Sequence, residues 1–239
     1  MSIPFFANSK KFEQLYIIKR NLKREGSLMK ITYLGHSCFK LEKDGFAMVI
    51  DPYMNGSVPG YEKLNEKANQ VVCSHKHEDH FGLKEVKLAV TRADTPFMVS
   101  FIETYHDDKE GALRGFNNVI IVDVMGLKVV HMGDIGCELG EEDLEKIKGC
   151  DVLMIPVGGY FTIDAKQARE YVDVIKPAVT IPMHYSGKGF GYDVIAPVEE
   201  FTKLFDKSRV EVTDSSELTI DSKPEGNVIK VLRGKKIHV

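Results

Sequence analysis

The sequence predicts an α/β protein in which strands predominate in the first half of the chain. Short apolar runs of strand length, such as "DVLMIPV" and "AVTIPMHY", alternate with amphipathic segments such as "DAKQAREYVDVIKP". The pair Asp44-Gly45 between two such runs is typical of a tight hairpin turn. The chain has 239 residues, 43% of them hydrophobic, and no Pro/Gly/Ser-rich linker divides it, which favours one large domain.

The individual elements follow in order from the same signals. "MKITYLGHSCFKLEKDGFAMVIDP" predicts three short strands, and "NQVVCS" predicts a buried strand before a short helix that begins at "GLKEV". "KLAV" and "PFMVSFIET" are strand-like, and "NNVIIVDVMGLKVVHMGD" predicts a hairpin that turns near Gly126. "EEDLEKIKG" is helical with Gly149 as its cap, and "DAKQAREYVDVIKP" is a helix capped by Asp164 and stopped by Pro177. "VEEFTKLF" is helical, and the tail from Val210 onward predicts short strands.

The composition of the chain indicates which classes of partner and which cellular compartment to expect. The formal net charge is -3, so the basic excess of a typical nucleic-acid-binding protein is missing and no nucleic-acid partner is expected. No apolar run reaches the ~20 residues of a membrane span, so no membrane partner is expected either. The four cysteines form no CxxC pair, which favours reduced thiols and a cytoplasmic location.

The stretch "CSHKHEDHFG" gathers three histidines and two acidic residues into one loop. In extended chain His75 and His77 point the same way and can hold one ion, while Asp79 and His80 can face a second ion. Lys76 and Glu78 then point to solvent. Imidazole and carboxylate ligands suit zinc, iron or manganese, and the lack of a tight cysteine set disfavours a closed structural zinc site. The loop therefore predicts a metal site rather than an ordinary polar loop.

The run from His75 to His80 resembles the signature of the metallo-β-lactamase superfamily. The motifs "LGHSCF", "VIDP", "HMGD", "IPVGGYFTI" and "IPMHY" are similar to those of its short hydrolases related to ascorbate-6-phosphate lactonases. The resemblance covers residues 29 to about 205. It implies a four-layer αββα sandwich with a dinuclear metal site at one edge of the two sheets.

The resemblance also implies the remaining ligands, which the family supplies in the order His, Asp, His. His106 in "TYHDDKEG", Asp134 in "HMGD" and His184 in "IPMHY" occupy these places. The implied ligands of two divalent transition metal ions (Zn, Mn or Fe) are His75, His77 and His106 for one ion, Asp79, His80 and His184 for the other, and Asp134 between them. Cys137, three residues after Asp134, is interpreted as a small apolar residue.

Three further residues are candidates for orienting a ligand or contacting substrate. Asp51 stands where the superfamily's first motif places a carboxylate that supports a ligand, although a turn residue before Pro52 explains it equally well. His36 in "GHSC" resembles a family position near the site, and a hydrogen-bonded turn histidine is the alternative. Tyr185, which follows the last ligand, is a candidate donor to an oxyanion. His131 is interpreted as a core residue.

The resulting hypothesis is a metal-dependent hydrolase that acts on a small lactone or ester. Two cations ~3.5–4 Å apart activate a bridging hydroxide, with Asp134 and Asp79 as the catalytic carboxylates. Two alternatives stay open: a phosphodiesterase on a small phosphorylated or nucleotide substrate, for which Arg114 and Lys188 are the available cations, and a metal-binding module without turnover. A small-molecule substrate is the expected partner, and a homo-oligomer is compatible with the sequence.

Residues 1–28 differ from the domain that is predicted for residues 29–239. The stretch "KKFEQLYIIKRNLKREG" is basic and weakly amphipathic, whereas the resemblance begins abruptly at Met29. Two interpretations stand: a start that was assigned too early, or an amphipathic arm with Phe12, Tyr16 and Leu22 on its apolar side. Neither interpretation gives the segment a metal ligand.

Overall fold

The computed structural model of the protein describes residues 28–90 and 94–235. The predicted N-terminal extension therefore lies outside the described residues, except for Leu28. The strands are β1 (Met29–Gly35), β2 (Cys38–Lys43), β3 (Phe46–Ile50), β4 (Glu66–Ala68), β5 (Gln70–Val72), β6 (Val86–Leu88), β7 (Phe97–Tyr105), β8 (Phe116–Val124), β9 (Leu127–His131), β10 (Val152–Pro156), β11 (Val179–Met183), β12 (Val210–Val212), β13 (Glu217–Ile220) and β14 (Val228–Val231). The α-helices are α1 (Glu141–Ile147), α2 (Ala165–Ile175) and α3 (Glu199–Thr202), and 3₁₀ turns cover Leu83–Glu85 and Lys207–Arg209.

Two sheets carry the fold. The smaller has five strands in the order β13-β1-β2-β3-β5, and the larger has seven in the order β12-β14-β11-β10-β9-β8-β7. Both predicted hairpins are confirmed: Asp44 and Gly45 join β2 to β3, and Met125 and Gly126 join β8 to β9, all four with positive φ. Positive φ at both central residues gives the turn whose twist matches that of the paired strands. A further pair, β4 and β6, forms a separate parallel sheet.

The main core lies between the two large sheets. Ile31 and Phe39 of the smaller sheet belong to the same buried cluster as Val122 and Met154 of the larger sheet. All residues of β10 and β11 are buried, so both faces of the larger sheet are covered there. The buried side chains of α1 and α2 join this cluster and supply the second cover: Ile147, Ala168, Tyr171, Val172 and Ile175.

A second cluster covers the other face of the smaller sheet. Leu34 and Val49 of that sheet pack in it with Tyr53, Val58 and Leu64 from the chain after β3. Among the described residues this outer layer consists of irregular chain, the β4–β6 pair and one 3₁₀ turn. The predicted four-layer α/β sandwich is thus confirmed as the fold class, with this outer layer differing in detail. The helix predicted from "GLKEV" is only the 3₁₀ turn, because β6 already begins at Val86.

The strands deliver the predicted site residues to one edge of the sandwich. His36, Asp51, His106 and His184 directly follow the last residues of β1, β3, β7 and β11. Since β3 runs parallel to β5, and β9, β10 and β11 run parallel to one another, their carboxyl ends meet at the same edge. No described helix is long and apolar enough to cross a lipid bilayer.

Helix α2 is fixed by the cap that the sequence predicts. The Asp164 carboxylate accepts from the backbone N–H groups of Lys166 and Gln167, and the Gln167 side chain accepts from the Asp164 N–H. This reciprocal capping box satisfies backbone donors that the first turn leaves without a partner.

We expect Asp164→Ala to lower the free energy of unfolding by about 1 kcal/mol, because it removes the cap. In a chain of this size that corresponds to a fall in Tm of about 2–4 °C, measured by thermal denaturation. The matched control is Asp173→Ala in the same helix, whose carboxylate only pairs with Arg169 at the surface. That change should cost less than about 0.5 kcal/mol. Equal losses in the two variants would contradict the role given to the cap.

Candidate metal centre

The loop after β5 presents its polar side chains as the sequence predicts. His75 and His80 are buried, and Asp79 is half-buried. Lys76 and Glu78 point to solvent, in agreement with the prediction. A backbone hydrogen bond of 2.9 Å from the His80 N–H to the His77 carbonyl closes the loop into a turn. The turn brings His80 back beside His75, with 4.3 Å between the ring centroids.

Asp51 lies fully buried behind this loop. Its Oδ2 accepts a hydrogen bond of 2.8 Å from Nδ1 of His80, and its two oxygens accept from the backbone and hydroxyl of Ser74, each at 2.6 Å. Burial opposes ionisation of Asp51, but the neighbouring imidazoles of His80 and His131 outweigh it and keep the pKa of Asp51 below its usual value. Asp51 is therefore an ionised acceptor that orients His80, which is the role that the first motif suggested.

Asp134 is the centre around which the histidines converge. Its Oδ1 lies 3.1 Å from Nε2 of His80, and its Oδ2 lies 3.3 Å from Nε2 of His106 and 3.2 Å from Nε2 of His184. Nε2 of His75 lies 4.0 Å from the same Oδ2. A single carboxylate thus faces four rings from three segments of the chain.

The backbone before Asp134 is held by one asparagine. The Asn117 side chain accepts from the Asp134 N–H at 2.9 Å and donates to the Met132 carbonyl at 3.0 Å. Gly133 has φ +56, and a Cβ there would lie 2.2 Å from Oδ1 of Asn117. Gly133 therefore has to be glycine for Asp134 to keep this position.

Asp79 forms the second focus of the site. Its Oδ2 lies 3.1 Å from Nε2 of His36, 3.7 Å from Nε2 of His80 and 3.9 Å from Nε2 of His184. His36 is fully buried, and its carbonyl accepts from the His184 N–H. The predicted position of His36 near the site is thus occupied, and its neighbour there is Asp79.

The side chains fall into groups whose candidate ligand atoms lie within 4.8 Å of one another. These groups are His75, His77 and His106; His36, Asp79, His80 and His184; and His75, His80 and Asp134. All seven residues that the sequence suggested as ligands are included, and the first group has the composition implied for one ion. The structure contains a His/Asp metal-binding cluster.

The hydrogen bonds behind the rings show that the cluster suits cations. Nδ1 of His80 donates to Asp51, and Nδ1 of His106 donates to the Phe161 carbonyl at 3.1 Å. With Nδ1 as the donor, each of these rings can present an Nε2 lone pair to a cation on the side that faces Asp134, whose oxygens also have lone pairs. The buried Nε2 atoms of His75, His80 and His184 have no hydrogen-bond partner among the described residues. Lone pairs that face lone pairs are stabilised by a positive charge between them, which a proton on Nε2 or a metal ion can supply.

Charges in the cluster favour the same conclusion. Burial, reinforced by neighbouring His80, lowers the pKa of His75 to about 3, so this ring is neutral near pH 7. Burial opposes ionisation of Asp134, but His184 and His80 outweigh it and hold the pKa of Asp134 well below the usual range. Burial also lowers the pKa of His80, but the carboxylates around it outweigh burial and raise that pKa well above the usual value. A metal cation at Nε2 of His80 supplies the positive charge that these carboxylates favour.

Tyr185 is not at the cluster, which corrects the prediction made for it. Its side chain is buried, its hydroxyl donates to the Leu232 carbonyl at 3.5 Å, and its ring packs against Tyr33 and Phe190. His131 is a structural core residue, as interpreted from the sequence. It accepts from the Gly133 N–H through Nδ1 and lies 2.9 Å from the Ser37 carbonyl through Nε2, which joins the two sheets.

The cluster opens into a cleft of about 320 Å³. The cleft is lined by His77, Asp79, His106, Arg114, Asp134, Phe161 and Tyr192. Phe161 and Tyr192 were not predicted, and their rings meet edge to face with centroids 5.7 Å apart. Burial raises the pKa of the Tyr192 phenol, so its hydroxyl stays protonated and donates to the Ser57 carbonyl at 3.1 Å.

Other residues that the sequence analysis missed support the cluster from behind. Ser74 precedes the first histidine, and Asn117 opens the polar pair at the start of the apolar run "NNVIIV". A polar pair that begins a buried strand is the signal that would have pointed to Asn117, because a buried amide needs partners. Ser74 carried no comparable signal beyond its place beside His75.

Comparison with known proteins agrees with the geometry. The family described as "Beta-lactamase superfamily domain" matches residues 30–184. A UPF0173 metal-dependent hydrolase from Carboxydothermus hydrogenoformans is 28% identical over 193 residues, which are 66% of this chain and 85% of that protein. This relative supports the prediction of a metal-dependent hydrolase.

Two solved structures share the fold. A protein of the metallo-β-lactamase superfamily from Thermotoga maritima is 33% identical, with a TM-score of 0.65 over 85% of this chain and 98% of that one. Igni18, a metallo hydrolase from Ignicoccus hospitalis, is 22% identical, with a TM-score of 0.56 over 81% of this chain and 98% of that one, and it shows the fold alone. The chain therefore belongs to the metallo-β-lactamase superfamily, among relatives that are named metal-dependent hydrolases.

Proposed function

We propose that the protein is a hydrolase with two divalent transition metal ions and that it acts on a small lactone or ester. The observation that carries the proposal is the position of Asp134, whose two oxygens face histidines of both ligand groups. A carboxylate placed in this way can serve two ions at once. Zinc, manganese and iron all accept this set of imidazole and carboxylate ligands.

The proposed ligand assignment combines the family order with the observed clustering of the side chains. His75, His77 and His106 hold one ion, and Asp79, His80 and His184 hold the other, with Asp134 shared. When both ions are bound they lower the pKa of a water between them toward neutrality and polarise the scissile carbonyl. Asp134 and Asp79 line the cleft, so their carboxylates can orient that water and take its proton.

The cleft suits a small molecule. Its volume of about 320 Å³ lies at the lower end of the usual range for ligand sites. Phe161 and Tyr192 supply aromatic walls for the uncharged part of a substrate. We also propose the cytoplasm as its compartment, because all four cysteines are free thiols. From the sequence we further propose that the protein has no nucleic-acid or membrane partner. We also propose that it forms a homo-oligomer.

One observation favours a second function, a phosphodiesterase on a small phosphorylated or nucleotide substrate. Arg114 lines the same cleft, and its guanidinium has no acidic partner among the described residues. It donates to the Tyr160 carbonyl at 3.1 Å and lies 5.8 Å from the centroid of the Phe161 ring. An arginine held in this way can bind a phosphate. A metal-binding module without turnover is disfavoured, because every expected ligand is present and the cluster opens to a cleft.

The first prediction concerns metal content. Protein reconstituted with Mn²⁺, Zn²⁺ or Fe²⁺ should bind close to two ions per chain, measured by elemental analysis after removal of free metal. His77→Ala should lose most of one ion, and His184→Ala should weaken the other, because the two residues belong to different ligand groups. The control is Lys76→Ala, which changes an exposed residue of the same loop. His131→Asn would not be a suitable control, because it would disrupt the packing of the core. Protein without bound metal after all three reconstitutions would refute the proposal.

The second prediction concerns catalysis. On a panel of lactone, aryl ester and bis-aryl phosphate substrates, Asp134→Asn should cost more activity than Asp51→Asn. Asp134 faces the reacting water, whereas Asp51 acts through ligand orientation, and losses of that second kind run about 10–100-fold. The measurement is kcat/KM at saturating metal. Wild-type turnover by Asp134→Asn on any substrate that the wild type cleaves would contradict the assigned role.

The third prediction separates the two candidate substrate classes. If the substrate carries a phosphate that Arg114 binds, Arg114→Met should raise KM for the bis-aryl phosphate by about 10-fold or more and leave KM for the neutral ester unchanged. Lys188→Met is the matched control, since Lys188 is an exposed cation that does not line the cleft. Equal changes in KM for both substrates would argue against a phosphate contact at Arg114.

A further inference from the structure

We infer that Ser74 is a positioning residue of the metal centre, whose hydroxyl transmits the orienting effect of Asp51 to the ring of His75. The inference rests on the proposed metal-binding function and adds a residue that was not among the predicted site residues. Its basis is the chain of contacts Asp51–Ser74–His75, in which each hydrogen bond has only one possible direction.

The direction follows from counting protons. Oδ2 of Asp51 lies 2.6 Å from the Ser74 hydroxyl, and an ionised carboxylate can only accept. The single hydroxyl proton of Ser74 therefore goes to Asp51. Nδ1 of His75 lies 2.9 Å from the same hydroxyl oxygen, which has only lone pairs left to offer. Nδ1 of His75 must then carry the proton, and its Nε2 must present a lone pair toward Asp134.

The same carboxylate oxygen also orients a ligand of the second group. Oδ2 of Asp51 accepts directly from Nδ1 of His80 at 2.8 Å. One buried carboxylate thus orients His80 directly and His75 through one hydroxyl. In the proposed ligand assignment His75 holds one ion with His77 and His106, while His80 holds the other with Asp79 and His184. The Ser74 hydroxyl is the link through which Asp51 orients a ligand of the first group.

The surroundings leave no substitute for this hydroxyl. Asp51, Ser74 and His80 are each 0% exposed, so bulk water does not reach the contact. The backbone of Ser74 is fixed as well, because its carbonyl accepts from the backbone N–H and the side chain of Asn118. A Cβ on Gly133 would come within 2.6 Å of the Ser74 Cβ, so the two chain segments approach each other closely here. Loss of the hydroxyl leaves Nδ1 of His75 without an acceptor and its tautomer unspecified.

The experiment measures the affinity of each of the two ions by competition with a chelator, using Zn²⁺ and the full chain. Ser74→Ala should weaken one ion by about 10–100-fold and leave the other within 3-fold of wild type. The weakened ion should be the one that His77→Ala loses. Asp51→Asn should weaken both ions. In the double variant the affinity of the first ion should equal that in Asp51→Asn, because Ser74 acts through Asp51.

Two further variants and one spectrum separate positioning from a general structural effect. Ser37→Ala is the matched control, since Ser37 is equally buried and its hydroxyl has no hydrogen-bond partner among the described residues. Ser74→Cys retains a weak donor and acceptor and should lie between wild type and Ser74→Ala. In ¹⁵N-labelled protein, the His75 ring should show its proton on Nδ1 in wild type and lose that signature in Ser74→Ala.

The outcomes distinguish this inference from the proposal beneath it. Two ions bound by Ser74→Ala as tightly as by wild type, or weakened equally, would overturn the role of Ser74 while leaving the metal centre intact. A wild-type protein that binds no Zn²⁺ would overturn the metal centre and this inference together. Additive losses in the double variant would show that Ser74 acts independently of Asp51 and would also overturn the relay.

Discussion

The structure depends on one electrostatic constraint: buried imidazole nitrogens and the oxygens of Asp134 face one another at one edge of the sandwich. Without a cation this arrangement leaves polar atoms unsatisfied and costs free energy. The cost falls on the protein only while the ions are absent, so metal binding and local order at this edge are linked. The hydrogen bonds behind the rings keep the lone pairs directed inward, and Asp51 is the main acceptor among them. The ligand positions therefore reflect the supporting residues as much as the ligands themselves.

The sandwich concentrates strain at this edge. His36, Asp51 and His184 each follow a strand and each adopt positive φ, between +47 and +55. Non-glycine residues take this conformation only where the surroundings compensate the cost. Here the compensation is visible in the backbone: the Asp51 N–H donates to Val72 and the His184 N–H donates to His36. One bond ties the end of β3 to the end of β5 in the smaller sheet, and the other ties the end of β11 in the larger sheet to the residue after β1, which keeps His184 beside His36.

Sequence patterns and the family resemblance together found the residues that cluster at the sheet edge, because each lies in a loop that follows an apolar strand. They were also sufficient for the hairpins at Gly45 and Gly126 and for the cap at Asp164, where local chemistry decides the structure. They failed for Tyr185, whose buried ring packs against Tyr33 and Phe190. The positive φ of His184 just before it is not shown by any local pattern. Tyr192 was missed for a different reason: it reaches the cleft through contacts with Ser57, 135 residues away in sequence. Packing between residues so far apart in the chain produces no periodic pattern in the sequence.

The two halves of the proposed function have separate structural origins. Strand ends fix the metal ligands, whereas loops supply the cleft walls. The loop after His106 is shaped by Asp107, whose carboxylate accepts four backbone N–H groups, from Lys109, Gly111, Leu113 and Arg114. These bonds hold the pKa of Asp107 below its usual value despite some desolvation, and they fix the backbone at Arg114. This loop lines the cleft and lies outside the strands that position the ligands. Its sequence can therefore change while the ligands stay in place. Proteins with the same metal ligands can therefore differ in the substrate that they select. In this chain the guanidinium of Arg114 is the loop feature that would decide the substrate.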